Sequence, residues 1–341
     1  MVFGWSYGGT ERRLAAVPGR RCRGSRTRFG DEPRTRRPDG RYDVTMSGRI
    51  ELSATVFCEC VGEAPTTADL TFGDDHLRLE SETDSLTVAQ SDVFDVRLGS
   101  SPRVATDFFT GPVLTVGFDA EDGREVLFVD GSRDSLETYA GLLYRWLLDG
   151  REVAARHPAE IGGRVTGQPF DIGTLRVTPG KVGCTGIDYS FGIDLDRIVH
   201  LSRSEGELLG DQRTMIELQY VRDGRAVSLD LSVDPPRIQH LLGRHLRQEY
   251  DKIRRAVRGL DVPKVAVRTL YELYSLRGAA APATLFDGPS DASAAILRGL
   301  EKASLVRFGD DEVELTSRGW ILVTEHVDAS ADGTAAHGVG D

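Results

Sequence analysis

The chain has 341 residues and a formal net charge of −11, and this length gives room for two or three domains of ordinary size. No apolar stretch reaches the roughly 20 residues of a membrane-spanning helix. The arginine-rich start also lacks the apolar core of a secretory signal. The sequence therefore excludes direct membrane insertion and predicts a cytoplasmic protein.

The charge is divided unevenly along the chain. Residues 1–45 contain eleven arginines and five acids, whereas the remainder contains 31 basic and 48 acidic residues, a net charge of −17. Lysine is scarce, with only Lys181, Lys252, Lys264 and Lys302. Dense carboxylates are typical of a protein from a salt-loving cell, where a Debye length of about 3 Å near 1 M salt screens self-repulsion. Because phosphate contacts weaken at high salt, this composition disfavours nucleic acid as a partner.

Residues 1–45 have no apolar periodicity and are predicted to be a disordered basic extension. Met46 directly precedes the first regular segment, so we interpret it as the true start and the extension as a mis-called start. A basic arm for an acidic partner is the alternative. The segment Gly4-Trp5-Ser6-Tyr7-Gly8 matches the nucleophile elbow of serine hydrolases, but only three residues precede it, too few for the buried strand that such an elbow needs.

Two copies of one pattern follow, about one hundred residues apart. In each copy, alternating apolar residues predict short antiparallel strands, and a helix closes the unit. The turn before the last strand is Asp122-Gly123-Arg124 in one copy and Asp223-Gly224-Arg225 in the other. Asp134 and Glu137 have the spacing of a capping box at the start of the first helix. The repeat predicts two tandem PH/GRAM-like β-domains, each of about seven strands.

A third unit follows the break at 259–263. Helical stripes at 267–274 and 281–286, and a third helix that Ser290 can cap, precede a β-hairpin within 305–315. Three helices followed by a wing predict a C-terminal winged helix, so the fold class is α+β and multi-domain. The predicted domains are residues 46–157, 158–258 and 264–328, with a disordered tail at 329–341.

Charge decides between the two usual ligands of a winged helix, DNA and protein. The third helix carries Arg298 and Lys302 beside Asp291 and Glu301. The wing carries four acids, Asp310, Asp311, Glu312 and Glu314. Since such a face repels phosphate, the pattern favours a protein partner. We predict Arg298, Lys302 and Arg307 as partner-binding cations for an acidic surface, with plain solvation of these side chains as the alternative.

Candidate chemical sites are few. The cysteines, Cys22, Cys58, Cys60 and Cys184, are too scattered for a disulfide framework. Cys58 and Cys60 share a face of a predicted strand but lack two further metal ligands nearby, so we interpret them as two small buried side chains. His240 and His245 are five apart on a predicted helix and are interpreted as polar-face residues. No phosphate-loop or dinucleotide motif occurs, so the sequence predicts no catalytic residue, no cofactor and no metal.

Four short segments carry a resemblance to a known family. They are Tyr144 to Gly150, His157 to Val165, Leu273-Tyr274-Ser275 and Val313 to Gly319. Together with the duplicated β-domain, the winged helix and the acidic composition, they make the chain resemble the archaeal taxis proteins of the CheF family. The resemblance runs from about Met46 to about Glu325.

This resemblance implies a non-enzymatic adaptor of archaeal taxis. The expected partners are the response regulator CheY, other Che proteins and the switch proteins of the archaellum motor. The family offers no catalytic motif to transfer. Two alternatives come from the domain types: a transcriptional regulator with ligand-sensing β-domains, and lipid binding, which the scattered arginines do not favour.

Overall fold

The computed structural model describes residues 50–102, 105–186, 190–208, 210–286 and 291–335. The predicted basic extension, the nucleophile-elbow segment and Ser290 lie outside the described residues. Residues 41–341 form one unit, and within its described part the chain forms antiparallel sheets and α-helices. The predicted α+β class is therefore confirmed.

Seven strands and a helix come first in the described chain. They are β1 (Ile50–Phe57), β2 (Thr66–Phe72), β3 (His76–Glu80), β4 (Ser85–Ala89), β5 (Val93–Ser100), β6 (Pro112–Ala120), β7 (Gly123–Asp130) and α1 (Arg133–Leu148). The sheet order is β4-β3-β2-β1-β7-β6-β5. Two meanders thus meet where β1 pairs with β7.

The N-cap of helix α1 lies two residues before the predicted capping box. Ser132 is the N-cap, and its hydroxyl accepts a hydrogen bond from the Ser135 amide. The capping box of Asp134 and Glu137 is therefore wrong: Asp134 lies within the first turn, where a carboxylate favours the positive end of the helix dipole. The apolar stripe of α1 packs on the sheet as expected, with Leu136, Leu143 and Leu147 at 1% exposure or less.

The second copy repeats this connectivity. Its elements are β8 (Glu152–Arg156), β9 (Glu160–Ile161), β10 (Arg164–Val165), β11 (Asp171–Thr178), β12 (Lys181–Gly186), β13 (Ser190–Asp194), β14 (Ile198–Leu208), β15 (Asp211–Arg222), β16 (Arg225–Val233) and α2 (Pro236–Arg258). The strands β8-β11-β12-β13 form one meander and β14-β15-β16 another, and β8 pairs with β16 as β1 pairs with β7. The β9–β10 hairpin, which pairs with β16, has no equivalent in the first copy and was not predicted.

The third part contains α3 (Lys264–Ser275), β17 (Ala279–Ala280), α4 (Pro282–Leu285), α5 (Asp291–Lys302), β18 (Val306–Phe308), β19 (Val313–Leu315) and α6 (Ser317–Ala335). Its three strands are ordered β17-β19-β18. Helix α6 extends to Ala335, seven residues beyond the predicted domain limit at 328. None of the described helices is long and apolar enough to cross a membrane.

Helix α2 joins all three parts. His245 on α2 stacks on Tyr144 of α1 with ring centroids 4.7 Å apart, and the Tyr144 hydroxyl donates to the Val96 carbonyl at 2.7 Å. At the other end of α2, Arg254 Nε lies 2.6 Å from Glu325 Oε1 on α6. His245 is only 4% exposed, so its assignment to a polar face is wrong. It completes the buried stripe of Leu241, Leu242 and Leu246.

The backbones of the second and third parts come into close contact at two glycines, Gly224 and Gly278. Helix α3 ends at Ser275, and in the turn that follows Arg277 is left-handed with φ +69°. The Gly278 amide donates to the Leu273 carbonyl at 2.8 Å, the bond that closes such a helix end, and Gly278 itself has φ +94°. A β-carbon at Gly278 would overlap the carbonyl oxygen of Gly224, in the turn between β15 and β16, and would lie 2.8 Å from the Trp320 ring. The small side chains of this loop thus permit a close approach of two backbones.

The two paired cysteines differ from the prediction. Cys58 is 3% exposed, but Cys60 is exposed, and the two are joined as a disulfide in the turn after β1. The interpretation as two small buried side chains is therefore wrong for Cys60. The strand ends at Phe57, so the side chains at 58 and 60 are no longer held in strand alternation.

Candidate protein-interaction surface

The three predicted cations differ in their availability. Arg298 and Lys302 are both exposed and lie four residues apart on α5, which places them on one side of that helix. Within the described residues neither forms an ion pair. Arg307 lies on β18 directly across from Glu314 on β19, and its Nε lies 2.6 Å from the Glu314 carboxylate. Its charge is therefore neutralised within the wing, and the structure brings together only two of the three predicted residues.

An apolar groove, the α3–α5 groove, lies beside these cations. Its volume is about 350 Å³. It is lined by Asp261, Val262, Pro263, Val265, Ala266, Ala295, Ile296, Gly299, Leu300, Ala303 and Leu305. The wall on α5 is shallow because Ala295, Gly299 and Ala303 recur every fourth residue with little side chain. Val265, at 55% exposure, presents an apolar side chain to solvent at this groove.

Two of the four lysines adjoin this groove along the chain, although the acidic Asp261 also lines it. Lys181 lies 2.9 Å from Asp194, and Lys252 lies 2.8 Å from Glu249. Lys264 and Lys302 form no ion pair with any described residue, and each adjoins residues that line the groove. Sequence reasoning did not identify Lys264 or the groove. The available signal was the four-residue spacing of small residues on α5.

The wing presents the opposite charge. Asp310, Asp311 and Glu312 are exposed in the turn between β18 and β19. None of them forms an ion pair within the part of the chain that the structure describes. Phosphate oxygens approaching this turn would meet like charge, so the geometry does not favour the transcriptional-regulator alternative.

The side chains with the most perturbed pKa values serve packing. Burial lowers the pKa of His245 to about 4, and the charge of Lys252 adds to the effect. Burial, together with the charge of Arg222, also lowers the pKa of His157 to about 4, and its Nε2 lies 2.8 Å from the Tyr220 hydroxyl. Burial raises the pKa of Asp230 although Arg156 donates to it at 2.8 Å. These groups lie on separate elements of the sheets and of α2, away from the α3–α5 groove.

A family model and two known proteins that match this chain all point to the same family. Residues 67–252 match the model of the family described as archaeal chemotaxis signal transduction system protein F. The chain is 28% identical to Taxis protein CheF2 of Halobacterium salinarum over 250 residues, 73% of this chain and 86% of that protein. It is 26% identical to Taxis protein CheF1 of the same organism over 144 residues, 42% of this chain and 48% of that protein.

Among solved structures, one similar chain comes from the structure of the Spt16D Pob3N heterodimer. The match has 11% sequence identity and a TM-score of 0.22, and it covers 52% of this chain and 87% of that chain. This TM-score is too low to support an argument about fold or function.

Proposed function

Because the chain belongs to the archaeal CheF family of chemotaxis signal-transduction proteins, we propose that it is a cytoplasmic, non-enzymatic adaptor. In this proposal it links the response regulator CheY, and other Che proteins, to the motor switch of the archaellum. Family membership is the observation that carries the proposal. Transmission of a signal by an adaptor needs separate surfaces for two partners rather than chemistry of its own.

The proposal includes an assignment of the three parts. The first two are PH/GRAM-like domains, supported by their shared connectivity of two meanders and a closing helix. The third is a winged helix, supported by its order of three helices and a hairpin. Their limits are residues 46–157, 158–258 and 264–328. Both domain types are scaffolds for recognition, so the partner is argued from the surface and not from the fold.

We place the regulator at the α3–α5 groove. An apolar depression can receive the apolar side chains of a partner, and Lys264, Arg298 and Lys302 supply cations for an acidic partner surface near its rim. Arg307 takes no part in this version of the site, because Glu314 already neutralises it.

An apolar groove with neighbouring cations is suited to binding a partner at high salt. Near 1 M salt the Debye length is about 3 Å, so charges act only in direct contact. Affinity must then come mainly from apolar burial, while the cations set orientation and exclude wrong partners. The regulator can bias the motor only by as much as its phosphorylated form binds the adaptor more tightly.

Calorimetry at molar KCl tests the proposal. The full chain is titrated with the CheY of its organism in the phosphorylated and unphosphorylated forms. We expect the phosphorylated form to bind about 5–150-fold more tightly, an ordinary allosteric coupling. Arg298→Glu and Lys302→Glu should each weaken binding by on the order of tenfold, because each puts like charge in direct contact with an acidic partner.

Arg97→Glu is the matched control, because Arg97 is exposed on β5, far along the chain from the groove. It should bind the regulator as the native chain does. Equal affinity of the native chain for both forms of the regulator would contradict the signalling role. Normal binding by Arg298→Glu and Lys302→Glu would contradict only the assigned site.

A further inference from the structure

The turn that follows β1 carries the sequence Cys58-Glu59-Cys60. Its backbone is held by amide hydrogen bonds from Val61 and Gly62 to the Cys58 carbonyl, at 2.9 and 3.1 Å. Cys58 is buried, whereas Cys60 is exposed. The two sulfur atoms are joined as a disulfide.

A structural cross-link does not explain this bond. The stabilisation from a disulfide grows with the length of chain that it closes, and this one joins residues only two apart. The adjoining strands are already fixed, because β1 and β2 pair continuously from Ile50↔Phe72 to Val56↔Thr66. The two thiols are therefore better explained by their chemistry.

A carboxylate completes a ligand set. The antiparallel register of β1 and β7 places Phe57 opposite Phe128, so the chain beyond Phe57 runs back toward Glu125. The Cys58 sulfur, the Cys60 sulfur and a Glu125 carboxylate oxygen all lie within 4.8 Å of one another. No ion pair engages this carboxylate within the described residues, and the neighbouring Arg124 lies 3.4 Å from Asp119.

We propose that the reduced Cys58–Cys60 pair and Glu125 form a binding site for a thiophilic divalent cation, with Zn²⁺ as the preferred ion. Zinc takes thiolate and carboxylate ligands in a tetrahedron, with Zn–S distances of about 2.3 Å and hence ligand atoms about 3.5–3.8 Å apart. The two sulfurs are bonded to each other in the disulfide, so they must move apart on reduction to reach this spacing, while the Glu125 carboxylate oxygen already lies within 4.8 Å of both. A water molecule or a chloride ion takes the fourth position.

The disulfide and the metal exclude each other at this site. A small-molecule dithiol reduces the bond: it transfers two electrons and two protons to the two sulfurs and is itself oxidised to a disulfide. Both cysteine thiols then lose their protons as they bind the cation, because the thiolate is the metal ligand. An ion can reach the site from solvent, because Cys60 is exposed and Glu125 is half-buried.

Cobalt binding tests the site in the full chain. The protein is reduced with a phosphine, freed of metal and titrated with Co²⁺ alone at molar KCl. Tetrahedral Co²⁺ bound to thiolate has intense near-ultraviolet and visible absorption bands that aqueous Co²⁺ lacks. We expect these bands to saturate at one ion per chain, to disappear when Zn²⁺ is added, and to be absent from the oxidised protein.

Variants separate this site from other thiols and carboxylates. Cys60→Ser should abolish the absorption bands, and Glu125→Gln should weaken binding by on the order of tenfold or more. Cys184→Ser is the thiol control and Glu59→Gln the carboxylate control, and neither should change the titration. The proposal is overturned if the reduced native chain shows no such bands, if Cys60→Ser keeps them, or if Glu59→Gln weakens binding as much as Glu125→Gln.

Discussion

Acid should destabilise the folded chain through His245. This side chain is 4% exposed, and neither ring nitrogen has a hydrogen-bond partner among the described residues. Protonation would bury an uncompensated charge, and burial therefore lowers its pKa to about 4 from a usual value of about 6.5. In the unfolded chain the imidazole takes up its proton below about pH 6.5, whereas in the folded chain it does not until about pH 4. Stability from this group is thus lost as the pH falls through that window.

The size of the effect follows from the two pKa values. One pKa unit corresponds to about 1.4 kcal/mol, and about one and a half units separate pH 6.5 from pH 5. The loss from His245 at about pH 5 is therefore about 2 kcal/mol. Because the unfolding entropy is about 2 cal/mol/K per residue, this loss corresponds in a chain of this size to a fall of about 3 °C in melting temperature.

The assay compares melting temperatures at about pH 7 and pH 5 in molar KCl for the native chain and His245→Leu. Leucine has a similar volume, and the substitution breaks no hydrogen bond, so the variant should be at least as stable as the native chain at pH 7. On acidification to pH 5 it should lose about 2 kcal/mol less stability than the native chain. His157 also has a lowered pKa, but it contributes equally to both proteins. His200→Leu, at an exposed position, should behave as the native chain does. If His245→Leu lost as much stability as the native chain between the two pH values, the reasoning would be refuted.

Two further predictions concern packing and charge. Gly278→Ala should lower stability by about 1–3 kcal/mol, because alanine disfavours φ +94° and its β-carbon would meet the Gly224 carbonyl. Gly299→Ala is the control, because Gly299 has open space around it. Equal melting temperatures for the two variants would count against the glycine contact. Transfer from molar to low salt should lower the melting temperature, because the net charge of −17 over residues 46–341 then repels itself without screening. The same melting curve at molar and at low salt would contradict this role of charge repulsion.

The sequence predicted the elements better than their contacts. The Asp223-Gly224 turn joins β15 to β16 as expected, because an Asp-Gly pair between alternating apolar strands is a strong local signal. In the first copy the turn is Glu121-Asp122, one residue earlier than predicted, and Gly123 begins β7. The assignment of His245 failed although a signal existed, since it lies three and four residues from Leu242 and Leu241 on the buried stripe. The spacing between His240 and His245 alone does not show which face of α2 carries His245.

Other features depend on distant parts of the chain and have no local signal. The ion pair of Arg307 with Glu314 depends on the register of β18 and β19, and sequence alone could not fix that register. The approach of Gly278 to Gly224 joins residues 54 positions apart, so no local pattern could predict it. The proximity of Glu125 to Cys60 likewise follows from the pairing of β1 with β7.

The bonds that hold the three parts together show how an acidic chain can remain one body at high salt. Two of them join a side chain of one part to a neutral backbone carbonyl of another: Arg237 Nη1 donates to Gln90 at 3.1 Å, and the Ser317 hydroxyl donates to Asp196 at 2.6 Å. Dissolved ions weaken attraction between separated charges, but they do not screen a buried hydrogen bond to a carbonyl in the same way. Connections of this kind therefore persist at the salt concentration that the carboxylate-rich surface needs. Helix α2 carries Arg237 near its start and Arg254 near its end, so contacts at its two ends link the first part of the chain to α6 of the third.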